Sequence, residues 1–188
     1  MNNLSAFTSK FIDLTPIELA DLESIFEPVA IKKMDHLMTS GDYIKDIYFI
    51  NEGIFRGYYI KEGEEFTTGF YYGPIMFAEL FSIRRNAPTA LNLQALKECD
   101  CYKANFNTME KLMEKHHTIR QMFFRLYEML YMYGVKRQVS FIYDSQKERY
   151  DKLRKEVPRI IEDIPLQYIA SYLGTKPETL SRIRKKSK

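Results

Sequence analysis

Residues 164–186 read IPLQYIASYLGTKPETLSRIRKK, and the order of residue types in this stretch decides what the C-terminal part of the chain is. Pro165 has no N–H to leave unsatisfied and a preset φ, so it suits the opening of a helix. Ile169, Ala170 and Leu173 recur at helical spacing and form an inner face. Gly174 accepts the left-handed conformation that ends many helices. Thr175-Lys-Pro-Glu178 has the spacing of a capping box, with Pro177 inside the first turn, and starts a second helix. Leu180 and Ile183 point inward along it, while Glu178, Thr179, Ser181, Arg182, Lys185 and Lys186 point outward. Two short helices, a glycine turn and a polar, basic second helix make a helix-turn-helix, with Ala170 and Gly174 supplying small residues at the crossing. The second helix of such a unit enters the major groove. Arginine there reads guanine through two hydrogen bonds, and glutamate accepts from cytosine. With Lys176 in the turn, these outward residues are the candidate DNA contacts.

The charge distribution agrees. Residues 145–188 hold twelve Lys and Arg against six Asp and Glu, while the other 144 residues hold sixteen against nineteen. A basic segment on a mildly acidic body directs only that segment toward a polyanion. A solvated basic helix face would show the same count.

Upstream, Ser145-Gln-Lys-Glu148 is a capping box that opens a helix running to about Val157. Asp144 and Ser145 are therefore the expected hinge. Before them, residues 118–142 read as one long helix, about 37 Å at 1.5 Å per residue. Ile119, Met122, Leu126, Met129 and Tyr133 fall near heptad a and d positions, and Phe123 and Leu130 widen the stripe. These seven residues are the expected dimer interface, since such a stripe without a second partner is often a coiled-coil seam. Packing of this helix on its own β-domain is the alternative. Gly134 is a weak point, because a mid-helix glycine costs about 1 kcal/mol.

From Val29 to about Phe106, short alternating runs are cut by glycine turns at Gly41, Gly53, Gly63 and Gly73, and the strands between them, for example Ile47-Tyr-Phe-Ile50 and Phe55 to Ile60, are rich in Ile, Tyr, Phe and Thr. Strands at this spacing make a sandwich or barrel. Ahead of it, Thr15-Pro-Ile-Glu18 caps a short helix over residues 14–26, and residues 107–115 read as another.

Several functions are excluded or disfavoured. No apolar run approaches the ~20 residues of a membrane span. Residues 1–10 lack a secretory pattern, so a cytoplasmic location is expected. Cys99 and Cys101 read as reduced thiols, and His116 and His117 have no metal-ligand spacing to them. His36 is the lone histidine of the β-region, so a cupin-like metal enzyme lacks its ligands. No nucleophile–base pair or phosphate loop appears. The chain is expected to be no enzyme and to need no metal or cofactor.

Three stretches resemble the family of the catabolite activator (cyclic-AMP receptor) and the anaerobic fumarate-nitrate regulator, the Crp/Fnr family, and the resemblance covers nearly the whole chain. Gly41-Asp42 with Ile50-Asn-Glu-Gly53 resembles its β-roll hairpin signature, Phe77-Ala-Glu-Leu80 its phenylalanine-glycine-glutamate-leucine turn, and Ile169 to Gly174 with Glu178 to Arg182 its helix-turn-helix. The resemblance implies an α+β fold: a cyclic-nucleotide-binding-like β-roll (jelly-roll) over residues 1–115, a dimerisation helix over 116–143 and a helix-turn-helix domain over 144–188. It implies a homodimeric transcription regulator on a palindromic duplex, and it allows RNA polymerase as a further partner. The alternative is a ligand-binding β-roll whose basic helical tail docks a protein partner.

Carried over residue by residue, the family's recognition glutamate and second arginine fall on Glu178 and Arg182. Its first base-reading arginine falls on Pro177, which cannot read a base. Gln167 matches a position near the phosphate backbone. No C-terminal wing follows, and the run Arg184, Lys185, Lys186 and Lys188 stands where it would begin. In the effector pocket, Glu79 and Leu80 match, but Thr89 replaces the arginine that holds the cyclic phosphate, and Ala78 replaces a glycine. A neutral hydroxyl is a poor substitute for a guanidinium at a phosphate. Arg84 and Arg85 are the nearest replacements. Cyclic AMP is therefore not the expected effector, and the effector, if one exists, is not named by these residues.

Overall fold

In a computed structural model that describes residues 2–186, the chain forms eight strands and nine helices among the described residues. Lys188 of the basic run lies outside them. Two short helices come first, α1 (Leu4–Thr8) and α2 (Pro16–Ser24). The Thr15 hydroxyl accepts from the Glu18 N–H and the Glu18 carboxylate accepts from the Thr15 N–H, so the expected box caps α2. The strands are β1 (Glu27–Ile31), β2 (His36–Met38), β3 (Asp46–Glu52), β4 (Ile54–Lys61), β5 (Glu64–Tyr72) and β6 (Ile75–Phe77), then β7 (Asn92–Ala95) and β8 (Cys99–Asn105) after the short helix α3 (Leu80–Arg85). They make two four-stranded sheets, ordered β1-β8-β3-β6 and β2-β7-β4-β5. In the first, β3 pairs antiparallel with β8, Ile47 opposite Ala104 and Phe49 opposite Tyr102.

Five consecutive residues of β3, Ile47 to Asn51, are buried, so this strand has apolar partners on both faces. Tyr48 and Ile50 join Phe55 of β4 and Leu93 and Ala95 of β7 in one cluster. Ile47 and Phe49 join a second cluster with Leu4, Phe7, Leu22 and Phe26 at the N-terminus and with Phe106 and Met109 of α4 (Phe106–Lys115). A strand covered on both faces reads as a continuous apolar run, which is why Ile47-Tyr-Phe-Ile50 does not alternate. Gly53 closes the β3–β4 turn at φ +117°, where any Cβ would lie 2.3 Å from Cys99 Sγ.

α5 (His117–Tyr143) is followed by α6 (Gln146–Glu156), α7 (Ile160–Asp163), α8 (Leu166–Tyr172) and α9 (Pro177–Lys186). α5 passes through Gly134 without a break. The seven-residue dimer stripe expected on it is corrected here. Ile119, Met122, Phe123 and Leu126 lie buried in the second cluster of the roll, so their apolar surface is already covered by the chain's own β-domain. Met129, Leu130 and Tyr133 stay exposed, but the Tyr133 hydroxyl lies 2.6 Å from that of Tyr172. Phe124 (68%), Tyr131 (70%), Val135 (37%) and Ile142 (75%) are among the large exposed side chains of the helix, with Met132, Val139 and Tyr143 exposed as well.

The compact units also divide differently from the expected boundaries. Met1–Gly57 with Phe70–Met129 forms one, and Tyr58–Gly69 with Leu130–Lys188 forms the other. The change comes inside α5 because its first turns belong to the roll's core, and the tip of the β4–β5 hairpin joins the second unit. Tyr150, Leu153, Ile160, Ile164, Ile169, Ala170, Tyr172, Leu173 and Leu180 are buried in that second unit.

Phe49 is fully buried between the β3 backbone and the helices. Phe49→Ala should lower unfolding free energy by about 3–5 kcal/mol in urea titration. Ile17→Ala, at a residue 71% exposed on α2, should change it by less than about 0.5 kcal/mol.

Candidate nucleic-acid interface

The interface candidate is built from α8, a four-residue turn and α9. Gly174 adopts φ +65°. Its N–H donates to Ser171 O and the Thr175 N–H donates to Ala170 O at 2.9 Å. This pair of bonds is a Schellman ending, which satisfies the last carbonyls of α8 and turns the chain sharply. The turn is crowded from outside as well, since a Cβ on Gly174 would meet Phe141 Cε1 at 2.8 Å. The third capping box expected from the sequence does not form. α9 begins at Pro177, so Lys176 is its cap residue, and the Thr175 hydroxyl is buried without a hydrogen-bond partner among the described residues. The Schellman geometry draws Thr175 back toward α8 and moves the helix start one residue along, leaving Glu178 in the first turn but not at the box position.

Leu180 is fully buried and pins α9 to the unit, with Ile183 half-buried beside it. Lys176, Glu178, Arg182, Lys185 and Lys186 are exposed, and Thr179 and Ser181 are half-buried. The Arg182 guanidinium donates to the Thr179 hydroxyl at 3.3 Å, which extends it along the outer face of α9. No ion pair among the described residues involves Lys176, Arg182, Lys185 or Lys186. Gln167 is exposed in the first turn of α8. The eight residues read from the sequence as DNA contacts thus lie on α8, the turn and α9 with their polar ends available, and four unpaired cations set the sign of that surface.

One contact had no signal in the sequence. The Ser171 hydroxyl of α8 accepts from the Thr67 N–H at 2.9 Å and donates to Glu65 O at 3.0 Å, tying α8 to the tip of the β4–β5 hairpin. The partners are more than a hundred residues apart, beyond any local pattern.

α5 ends at Tyr143, and Asp144 and Ser145 join it to α6. Ser145 caps α6 in a complete box with Glu148. Asp144 accepts from the Ser140 hydroxyl and from Lys152 Nζ at 2.7 Å. That ammonium, with the Ser140 hydroxyl, holds the Asp144 carboxyl below its ordinary value. Arg149 donates to the Asp144 and Leu173 carbonyls, and Arg137 donates to Tyr172 O. Both guanidiniums lie 4.7 Å from the Phe141 ring centroid, and Arg137 lies 4.1 Å from that of Tyr172. Cation–π contacts of this kind contribute about 0.5–1 kcal/mol when exposed and more when desolvated.

The effector-pocket candidates in the roll do not converge. The Glu79 carboxylate caps α3 by accepting from the Ser82 N–H at 2.8 Å. Thr89 is buried, its hydroxyl accepting from the Leu91 N–H at 3.0 Å. Arg84 pairs with Glu110 at 2.6 Å and lies over Phe106, while Arg85 lies over the exposed Phe81 ring. Leu80 packs against the roll's core. Arg84 and Arg85, the candidates to replace the missing pocket arginine, thus each have another partner on the surface. Cys99 and Cys101 are free and buried. No group of His, Cys, Asp or Glu among the described residues could hold a metal ion, and no helix among them is long and apolar enough to cross a membrane.

Residues 28–116 match the family described as cyclic nucleotide-binding domain. No curated protein matches the chain. Among solved structures the chain is similar to FixK2 from Bradyrhizobium japonicum, at 15% identity over 86% of this chain and 84% of that one, with a TM-score of 0.73. It is similar to the Thermus thermophilus catabolite activator protein, at 17% identity over 93% and 84%, with a TM-score of 0.59. It is similar to CLP of Xanthomonas campestris, titled a c-di-GMP responsive global regulator, at 11% identity over 92% and 91%, with a TM-score of 0.73. These likenesses bear out in fold the resemblance read from the sequence: a cyclic-nucleotide-binding-type β-roll, a long helix and a C-terminal helical unit.

The hinge carboxylate gives a pH dependence with a defined sign. A folded-state pKa held below the unfolded value adds stability above the unfolded value and loses it as pH falls through the folded one. The Tm gap between the native chain and Asp144→Asn should be constant well above the ordinary aspartate value of 3.8 and shrink below it. Calorimetric scans across that range read it, and a gap that widens in acid would contradict the assigned contacts.

Proposed function

We propose that this chain is a transcription regulator, not an enzyme, that binds duplex DNA as a homodimer with α9 as its recognition helix. The observation that carries this reading is the Schellman turn between α8 and α9 together with four unpaired cations on the exposed face beyond it. A helix held by Leu180 on one side and cationic on the other fits a major groove, where phosphates supply the affinity and base edges the specificity. Arg182 is the base reader, Glu178 its neighbour near a cytosine, and Gln167, Lys176, Thr179, Ser181, Lys185 and Lys186 meet the backbone. Pro177 stands where the family has another reader, so the target differs from the catabolite activator's.

The dimer seam runs along the exposed face of α5 through Phe124, Tyr131, Val135 and Ile142, with Met129 and Leu130 at its margin. Phe124 and Tyr131 are seven residues apart, as are Val135 and Ile142, which is the repeat of a two-helix seam. Two recognition helices would then reach successive major grooves about 34 Å apart. The roll is a scaffold that does not take cyclic AMP, because Thr89, Glu79, Arg84 and Arg85 all have other partners. A regulator of this kind works on DNA in the cytoplasm, with RNA polymerase as a further partner.

Selection from random duplexes by the purified chain, without effector, should enrich a two-fold symmetric motif. Enrichment of nothing, or of an asymmetric half-site, would count against the homodimer. On the selected site, Arg182→Ala should cost about 1–3 kcal/mol and relax preference at one position, whereas Lys186→Ala should weaken all sequences alike and reduce the salt slope by about 1. Anisotropy titrations at several salt concentrations separate the two.

Calorimetric titration with cyclic AMP should give no saturable heat at micromolar concentrations. A saturable isotherm there would overturn the account of the pocket.

A further inference from the structure

We propose that the cleft between the end of α5, α6 and the last turn of α8 is a binding site for a small organic carboxylate with an apolar body. The cleft measures about 190 Å³, and its apolar wall comes from Val139, Leu153, Val157 and Leu173 with the rings of Phe141 and Tyr172. Drug-sized pockets start at about 300 Å³, so this one takes a single ring or a short chain and excludes a nucleotide.

Charge decides the chemistry. Lys136, Arg137, Arg149 and Lys152 line the cleft, against Asp144 and Glu156. Lys136 pairs with Glu156 at 2.6 Å and Lys152 with Asp144 at 2.7 Å, which cancels two charges of each sign. Arg137 and Arg149 make no ion pair among the described residues, and both are half-buried. Their donors reach backbone carbonyls, which supply no net charge: Tyr172 O at 3.2 Å from both terminal nitrogens of Arg137, Leu173 O at 3.1 Å from Arg149 Nε and Asp144 O at 2.6 Å from one terminal nitrogen of Arg149. A guanidinium carries five N–H donors, so each retains donors for a ligand. Both lie over the Phe141 ring, and both line the cleft. The two lysines leave Arg137 and Arg149 in excess over the two carboxylates, and two guanidiniums without an ion pair beside an apolar wall select an anion that accepts in a fork, which a carboxylate does.

The walls belong to the helix before the hinge, the helix after it and the end of the first helix of the helix-turn-helix. A ligand held by all three would stiffen the hinge. That consequence for DNA binding rests on the function proposed above, whereas occupancy of the cleft does not.

The test uses the full chain without DNA and follows its methyl resonances during titration with benzoate and hexanoate, then with the neutral benzamide and hexanamide. The carboxylates should shift Val139, Leu153, Val157 and Leu173 saturably, the amides should bind about tenfold more weakly, and Arg137→Gln should lose a comparable factor. Arg84→Gln, on the roll, should bind as the native chain does. Should Arg137→Gln fail to fold, Arg149→Gln and the carboxylate–amide comparison still decide. Methyls unmoved by tens of millimolar carboxylate, or an equal response to the amides, would overturn the site, whatever the DNA selection shows.

Discussion

Burial of β3 on both faces is the constraint from which the rest of the structure follows. Tyr48 and Ile50 close the interior of the roll, so Ile47 and Phe49 emerge on the other side as apolar surface that water would otherwise meet. Burying a side chain of that size contributes about 1.5–3 kcal/mol, and only helices remain in the chain to do it. α1, α2 and α4 cover part of this face, and the first turns of α5 complete it with Ile119, Met122, Phe123 and Leu126. The long helix is therefore anchored at one end. Its later turns leave Tyr131, Val135 and Ile142 exposed.

Beyond that anchor, polar and aromatic contacts take over from apolar packing. Phe141 sits against two guanidiniums and against the Cα of Gly174, so a single ring touches the end of α5, the base of α6 and the turn of the helix-turn-helix. The carbonyls that end α8 are divided between two sets of donors: the Schellman bonds take Ala170 and Ser171, and Arg137 and Arg149 take Tyr172 and Leu173. Such contacts are directional and individually modest. They fix a geometry without the volume of a large core.

The roll shows the complementary case, a familiar fold in which the candidate ligand residues have partners within the chain. Glu79 is retained in sequence but serves as a helix cap, and the position of the phosphate-binding arginine holds a buried threonine. The two nearby arginines are held by Glu110, Phe106 and Phe81. Fold and ligand are separable because the sheets depend on apolar packing, whereas a nucleotide depends on a few side chains at one rim.

Sequence by itself determined whatever is settled within one or two helical turns. The boxes at Thr15 and Ser145, the left-handed glycine at Gly174, the extent of α5 and the outward cations of α9 were all legible, because the groups that satisfy one another lie three or four residues apart. The box at Thr175 was misread for the same reason in reverse: two overlapping local patterns competed, and the Schellman bonds to α8 won. Tertiary structure alone decided which apolar stripe of α5 is covered. Ile119, Met122 and Leu126 have the same heptad-like spacing as a dimer seam, and periodicity reports that a face is apolar without naming what covers it. The same holds for Ser171 and the hairpin at Glu65 and Thr67, and for the partners of Arg84, Arg137 and Arg149. Those pairings join residues far apart in the chain. From Arg84 and Glu110 to Ser171 and Glu65 the partners are some twenty-five to more than a hundred residues apart, so no pattern of one or two helical turns contains both.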